Sequence, residues 1–240
     1  FQAEDGIRDR SPSRGLGDVY KRQAARTDPN AAKHRGISTF VVDMNTPGIE
    51  VRPLVNMVNE HNFNEVFFED VRIPDSNLVG EENRGWYQVA TALDYERSGV
   101  ATYAEGKRNL ERLVNVTKED VGILKQNPAS RYELADRWVE LQVGYNVAYR
   151  IPFLQAAGQT PNHEASISKL YGSELTQRIA QTGLKLLGME AQVTSGSPHA
   201  KLGGAIAKTY LSSVSATIAA GTSEVQRNII AQRGLGMPRG

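Results

Sequence analysis

The chain has 240 residues, of which 40% are hydrophobic and 23% charged, with 28 basic against 27 acidic side chains and no cysteine. This is enough apolar material for a sizeable core. The near-balance of charge excludes the basic excess of a nucleic-acid or membrane-surface protein, and the missing cysteine excludes disulfides, thiolate catalysis and zinc–sulfur sites. No apolar run approaches the roughly 18 residues of a membrane span. Residues 1–23 also lack the apolar middle of a secretory signal, so a soluble, cytoplasmic protein is expected.

Residues 1–23 show no apolar periodicity. From residue 24 the pattern is strand-like. "GISTFVVDM" (36–44) is rich in β-branched and aromatic residues and ends at the turn signal Asn45-Thr46-Pro47-Gly48. "GIEVRPLV" (48–55) and "FNEVFFEDVRIP" (63–74) make two further runs. Three strands alone form a thin sheet with unpaired edges. The period then changes, and helices are predicted at about 86–118, 131–157, 163–187 and 202–219, with a short one at 223–233. Four long helices with short connections imply an up-and-down bundle.

The first of these helices contains "VATALDYERSGVATY". Its apolar stripe runs Val89, Leu93, Val100, Tyr103, and Glu96 fills the gap in the helical series. A carboxylate on an apolar face is desolvated and its pKa rises, the profile of a general base working near neutral pH. Periodicity alone favours a second reading: a Glu at the stripe's margin, paired with a cation from a neighbouring helix. Leu93, Tyr95 and Val100 are candidates for lining a pocket or for the core.

Near the end, "GTSEVQRNIIAQRGLGMPR" begins with a helix-breaking Gly221, and Thr222 or Ser223 is a good N-cap for the next helix. Such a start either binds an anion or is a plain helix corner. The four histidines show no metal-type spacing, and no metal site is expected.

Residues 24–240 resemble the C-terminal part of an acyl-CoA dehydrogenase. Four stretches carry the likeness in the family's order: "ARTDPNAAKHRGISTFVVDMNTPGIEVRPL", "FNEVFFEDVRIPDSNLVGEENRGW", "LDYERSGVA" and "GTSEVQRNIIAQRGLGMPR". The resemblance implies an α+β, mainly α chain. Residues 24–83 would end a middle β domain, residues 84–240 would form the C-terminal four-helix bundle, and the family's N-terminal α domain would be missing. It further implies FAD-dependent α,β-dehydrogenation of an acyl-CoA thioester to the trans-2-enoyl-CoA, with electrons passed to an electron-transferring flavoprotein, in a tetrameric, cytoplasmic bacterial enzyme of fatty-acid or steroid degradation. Residues 1–23 resemble translated sequencing-adaptor DNA and are expected to lie outside the fold.

In much of this family the base is a Glu immediately before the Gly-Thr-Ser turn, and here that position is Ala220. A second group, resembling isovaleryl-CoA dehydrogenase, carries the base within "LDLER" on the first bundle helix. The matching "LDYER" assigns the base to Glu96, with Arg97 supporting the active-site charge. Gly221, Thr222 and Glu224 match the closing turn that approaches FAD. The family's Gln-x-x-Gly-Gly-x-Gly segment, which touches FAD from a neighbouring subunit, is "KLLGMEA" here and retains only Gly188. The Arg-x-x-Phe-Gly element is absent. These departures resemble bacterial steroid side-chain enzymes that pair two unlike chains as α2β2. They also leave open a catalytically silent structural subunit. Because the resemblance covers only the family's C-terminal part, it implies that the 240-residue chain by itself neither holds FAD nor turns over.

Overall fold

The computed structural model describes residues 20–96, 99–126 and 128–238, with the backbone alone at 93–96 and 126. Four strands come first: β1 (Tyr20–Arg26), β2 (Ile37–Asp43), β3 (Ile49–Val55) and β4 (His61–Phe68). They form two separate antiparallel ribbons, β1–β2 and β3–β4, rather than one three-stranded sheet. The first ribbon pairs Tyr20 with Asp43 and Arg26 with Ile37 without interruption. Strand β1 thus begins inside the stretch that the sequence reading set outside the fold. An antiparallel ladder is made by backbone groups and accepts most side chains, so composition there carried no warning. The second ribbon pairs Ile49 with Phe68 and slips at Leu54/Val55. The third predicted strand stops at Phe68, six residues short of the expected end, where Asp70 takes a positive φ of 48°.

The segment leaving β4 is stitched back onto β2. Val79 N–H donates to the Thr39 carbonyl, Asn77 Nδ2 donates to the Val41 carbonyl, and Thr27, Ser38 and Asn83 share hydrogen bonds of 2.7 Å. Helix α1 (Gly85–Glu96) follows. Its Trp86 ring stacks on His34 at 4.2 Å. A side chain at Gly85 would lie 2.5 Å from Thr39 Oγ1. The start of α1 therefore belongs with the strands, and the chain divides into two compact units, Phe1–Leu93 and Asp94–Gly240.

The second unit holds α2 (Val100–Glu119), α3 (Val121–Gln126), α4 (Ala129–Ala156), α5 (His163–Leu187), α6 (Ala205–Ala216) and α7 (Ser223–Ile229). The third predicted helix, 163–187, coincides with α5. The predicted helix over 86–118 is instead two. Gly99 adopts φ 72°, a left-handed conformation, as the residue that precedes α2. The short α3 fills what reads as a break. The helix expected from 202 begins at 205, because Leu202, Gly203 and Gly204 all have positive φ.

Helix α2 presents Tyr103, Gly106, Leu110, Leu113 and Thr117 inward, an unbroken 3–4 alternation that keeps one face on the core. Leu134, Leu141 and Ala148 of α4 meet it, with Leu175, Ile179 and Leu186 of α5 and Ile206 of α6. The Tyr103 ring is the bulkiest insert. A Cβ at Gly144 would come within 2.1 Å of it, and one at Gly172 within 3.2 Å, so two glycines on facing helices make its slot.

Candidate functional site

Two places that the sequence singled out carry left-handed residues, Gly99 before α2 and Ala220–Gly221 before α7. One is the junction between α1 and α2. Glu96 is the last residue of α1, and within α1 the series Val89, Leu93, Glu96 shares one face. The helical period does not run on through Gly99, so Val100 and Tyr103 no longer testify to where Glu96 points. The side chains of Leu93, Tyr95 and Glu96, and the whole of Arg97, lie outside the described residues. Val100 opens α2 and packs against the bundle core.

The other is the turn between α6 and α7. Ala220 and Gly221 are both left-handed, at φ 54° and 92°. For alanine this conformation costs on the order of 1 kcal/mol, and it persists because side chains hold it. Gln226, fully buried, donates from Nε2 to the carbonyls of Ala220 at 3.0 Å and Gly221 at 3.3 Å. Lys169 of α5 donates from Nζ to the Gly221 carbonyl at 2.6 Å. A side chain on Gly221 would put its Cβ 2.4 Å from Gln226 Nε2, so glycine is required there by this clamp as well as by φ. Thr222 caps α7, its Oγ1 accepting from Val225 N–H at 3.2 Å.

The first turn of α2 and the Ala220 turn meet the same end of α5. Tyr103, in the first turn of α2, donates its hydroxyl to the Ser168 carbonyl at 2.8 Å, and the next residue, Lys169, holds the turn. Gly188 lies elsewhere. It caps the far end of α5 at φ 56° and ψ −128°, with open space around it. From Lys169 to Gly188 the helix covers about 28 Å. Of the four expected cofactor residues, Gly221, Thr222 and Glu224 come together and Gly188 does not.

Beside the turn lies an open groove of about 430 Å³, lined by Glu174, Gln177, Arg178 and Gln181 of α5, Thr217 and Ile218, and Thr222, Ser223, Glu224 and Arg227. Its two guanidiniums are each already paired: Arg227 with Glu174 at 2.6 Å and Arg178 with Glu140 at 3.0 Å. The Ser223 hydroxyl is buried there without a hydrogen-bond partner. Hydroxyl and backbone donors at the turn fit the hydroxylated and oxygen-rich parts of a nucleotide cofactor. The paired arginines do not offer the free positive charge a pyrophosphate demands. The Glu224 carboxyl is held below the usual carboxylate range, first by its own backbone N–H and then by the Thr222 hydroxyl. It is therefore poorly suited to replace the missing base at Ala220. Sequence reasoning missed Lys169 and Gln226. A polar residue three positions after Ser223 on the inward face of α7 was the available signal for Gln226, and none marked Lys169.

Residues 83–235 match the family model for the acyl-CoA dehydrogenase C-terminal domain. The chain belongs to the acyl-CoA dehydrogenase family. It is 35% identical over 215 residues to the acyl-CoA dehydrogenase FadE34 of Mycobacterium tuberculosis, covering 90% of this chain and 28% of that protein. It is 31% identical to the acyl-CoA dehydrogenase IpdE1 of Mycolicibacterium smegmatis, covering 90% and 53%. Among solved structures it is similar to a steroid ACAD, Tcur3481-Tcur3483, in a G363A variant, with TM-score 0.86 and 30% identity over 92% of this chain and 58% of that one. It is also similar to the ChsE4-ChsE5 complex of Mycobacterium tuberculosis, with TM-score 0.81 and 29% identity over 92% and 58%. This acyl-CoA dehydrogenase chain thus spans about half the length, or less, of the relatives it matches. No helix among its described residues is long and apolar enough to cross a membrane.

Proposed function

We propose that this chain is the C-terminal part of an FAD-dependent acyl-CoA dehydrogenase that converts an acyl-CoA thioester to the trans-2-enoyl-CoA and passes electrons to an electron-transferring flavoprotein. Glu96 is the base and takes the α-proton of the thioester. Arg97 supports the charge beside it, and Leu93, Tyr95 and Val100 belong to the acyl pocket. Gly221, Thr222 and Glu224 would hold FAD at the turn, with Gly188 acting at a subunit boundary. Bound FAD supplies the acceptor for the hydride that leaves the β-carbon. The supporting observation is the shared anchor on α5: Tyr103 to the Ser168 carbonyl and Lys169 to the Gly221 carbonyl tie the start of α2 and the Ala220 turn to neighbouring residues. A base carried at the end of α1 and a cofactor turn without its own carboxylate fit one site.

Ala220 and the paired Arg178 and Arg227 also favour a second reading, a catalytically silent subunit in an α2β2 assembly with an unlike acyl-CoA dehydrogenase chain. Glu96→Gln in the complete enzyme separates the two. As a base, Glu96 is worth a fall in kcat of about 10²- to 10⁴-fold with bound flavin unchanged. A kcat within twofold of the parent sinks the assignment.

A further inference from the structure

Helix α5 grips the segment from α6 to α7 at three points. At the end of α6, Gln177 donates from Nε2 to the Ser213 carbonyl at 3.2 Å and to Thr217 Oγ1 at 3.4 Å. On α7, Arg227 donates to Glu174 at 2.6 Å. Lys169 reaches the turn itself, donating from Nζ to the Gly221 carbonyl at 2.6 Å. The three are not equal. The two contacts of Gln177 are long, and the Arg227 side chain is 53% exposed, so that ion pair holds little against solvent. A short bond from an ammonium to a carbonyl is charge-assisted and about twice as strong as a neutral one.

Gln226 also holds the turn, but it lies only five and six positions after the carbonyls it grips. It moves with the turn and cannot fix where the turn sits on the bundle. Lys169 stands 52 positions before Gly221, on another helix, and can. Its contact also sets a direction. No peptide bond among the described residues is cis, and in a trans peptide the N–H points opposite to the C=O. The Ala220 carbonyl is turned to Gln226, and the Gly221 carbonyl to Lys169 and Gln226. The N–H groups of the same two peptides, which belong to Gly221 and Thr222, are therefore turned away from both side chains. Ala220 sits at φ 54°, a conformation that an alanine leaves once it is no longer held, and leaving it would swing these N–H groups round.

We propose that Lys169 is a positioning residue of the dehydrogenase site: it pins the Gly221 carbonyl to α5 and thereby fixes the direction of the Gly221 and Thr222 N–H groups that would hold FAD. This role rests on the turn being the FAD cradle of the proposed function, and it does not depend on Glu96 being the base.

The test uses the complete enzyme, stripped of flavin and then reloaded. Lys169→Met keeps the length of the side chain and removes the donor. Without flavin, a crystal structure of this variant should show Ala220 outside the left-handed region. Hydrogen exchange should quicken at Ser223, whose N–H bonds the Thr217 carbonyl across the turn at 2.9 Å. On reloading, the dissociation constant for FAD should rise about tenfold or more. At saturating FAD, kcat should fall about tenfold, while KM for the acyl-CoA stays within about threefold. Lys169→Arg returns a cationic donor and should restore most of both losses. Lys169→Gln, a shorter neutral donor, should show the same losses in smaller measure and serves if the methionine variant does not fold. A lysine that only stabilises the bundle would lower the denaturation midpoint and leave FAD affinity, kcat and KM untouched, and that result overturns the proposal. A large fall in kcat for Glu96→Gln, together with parental FAD affinity in Lys169→Met, leaves the proposed reaction standing and sinks the role of Lys169. A complete enzyme that takes up no FAD sinks both.

Discussion

The α1–α2 junction and the α6–α7 turn both depend on left-handed residues, yet they are held by opposite means. At the junction, Gly99 needs no help to adopt φ 72°, and its carbonyl is taken up locally by Thr102 and Tyr103 N–H at 3.1 and 3.4 Å. The turn places an alanine in the same region and holds it from a distance, through Lys169, 51 positions before Ala220 along the chain, and the buried Gln226. A hinge of glycine kind can re-aim a helix end at little cost. A clamped alanine cannot move without breaking several hydrogen bonds at once. The difference suits the proposed division of labour, with an adjustable carboxylate on one side and a fixed cofactor cradle on the other.

The largest way to break this comparison, after Glu96→Gln, is to dislodge the anchor they share. Gly144→Ala sets a methyl group 2.1 Å from the Tyr103 ring, and neither the ring nor the α4 backbone has room to retreat. Overpacking of this kind costs about 3 kcal/mol, read as a lowered denaturation midpoint. Gly158→Ala, with nothing near its Cβ position, isolates the cost of its left-handed backbone and should be milder. Equal losses at the two positions would show that the slot is not what makes Gly144 necessary.

The same tyrosine yields a pH effect of slightly smaller size. Burial pushes the Tyr103 hydroxyl up to about 12. The folded state therefore prefers the neutral phenol. The stabilisation is fully present below pH about 10, the ordinary tyrosine value, and is lost as pH rises through about 12. Two units correspond to about 2–3 kcal/mol. Denaturant titrations across that window should fall more steeply for the parent than for Tyr103→Phe, which starts about 1 kcal/mol lower at neutral pH for want of the hydrogen bond. Parallel curves would mean that Tyr103 ionises without cost in the fold.

These contrasts also explain what the sequence made legible. Helix α5 was readable to the residue because its buried positions recur at helical spacing. The cap of α7 could be narrowed to Thr222 or Ser223 because caps act over three residues. The division of the first predicted helix was harder to see: Val89, Leu93, Val100 and Tyr103 are spaced in the sequence as if on one helix, and apolar spacing alone does not register a left-handed glycine between them. The slot for Tyr103 depends on Gly144 and Gly172, 41 and 69 positions away in sequence, and a missing side chain leaves no trace in an apolar pattern. Lys169 was invisible for a related reason. A long cation reads as a solvated residue until the fold brings a carbonyl to its tip.

The smallest effect tests whether the turn is as over-determined as its hydrogen bonds suggest. Thr222→Ala removes the one side-chain cap of α7, which typically costs about 1 kcal/mol. Lys169 and Gln226 still grip the two carbonyls on the other side of the turn, so the damage should stay local. Amide exchange should quicken at Val225, whose N–H loses its acceptor, while the amides of α5 around Lys169 keep their protection. Thr222→Ser should restore the parent rate, since the hydroxyl alone makes the cap. If exchange instead rises along α5, then the clamp relies on the cap, and the turn is one cooperative unit with the helix end that also anchors Tyr103.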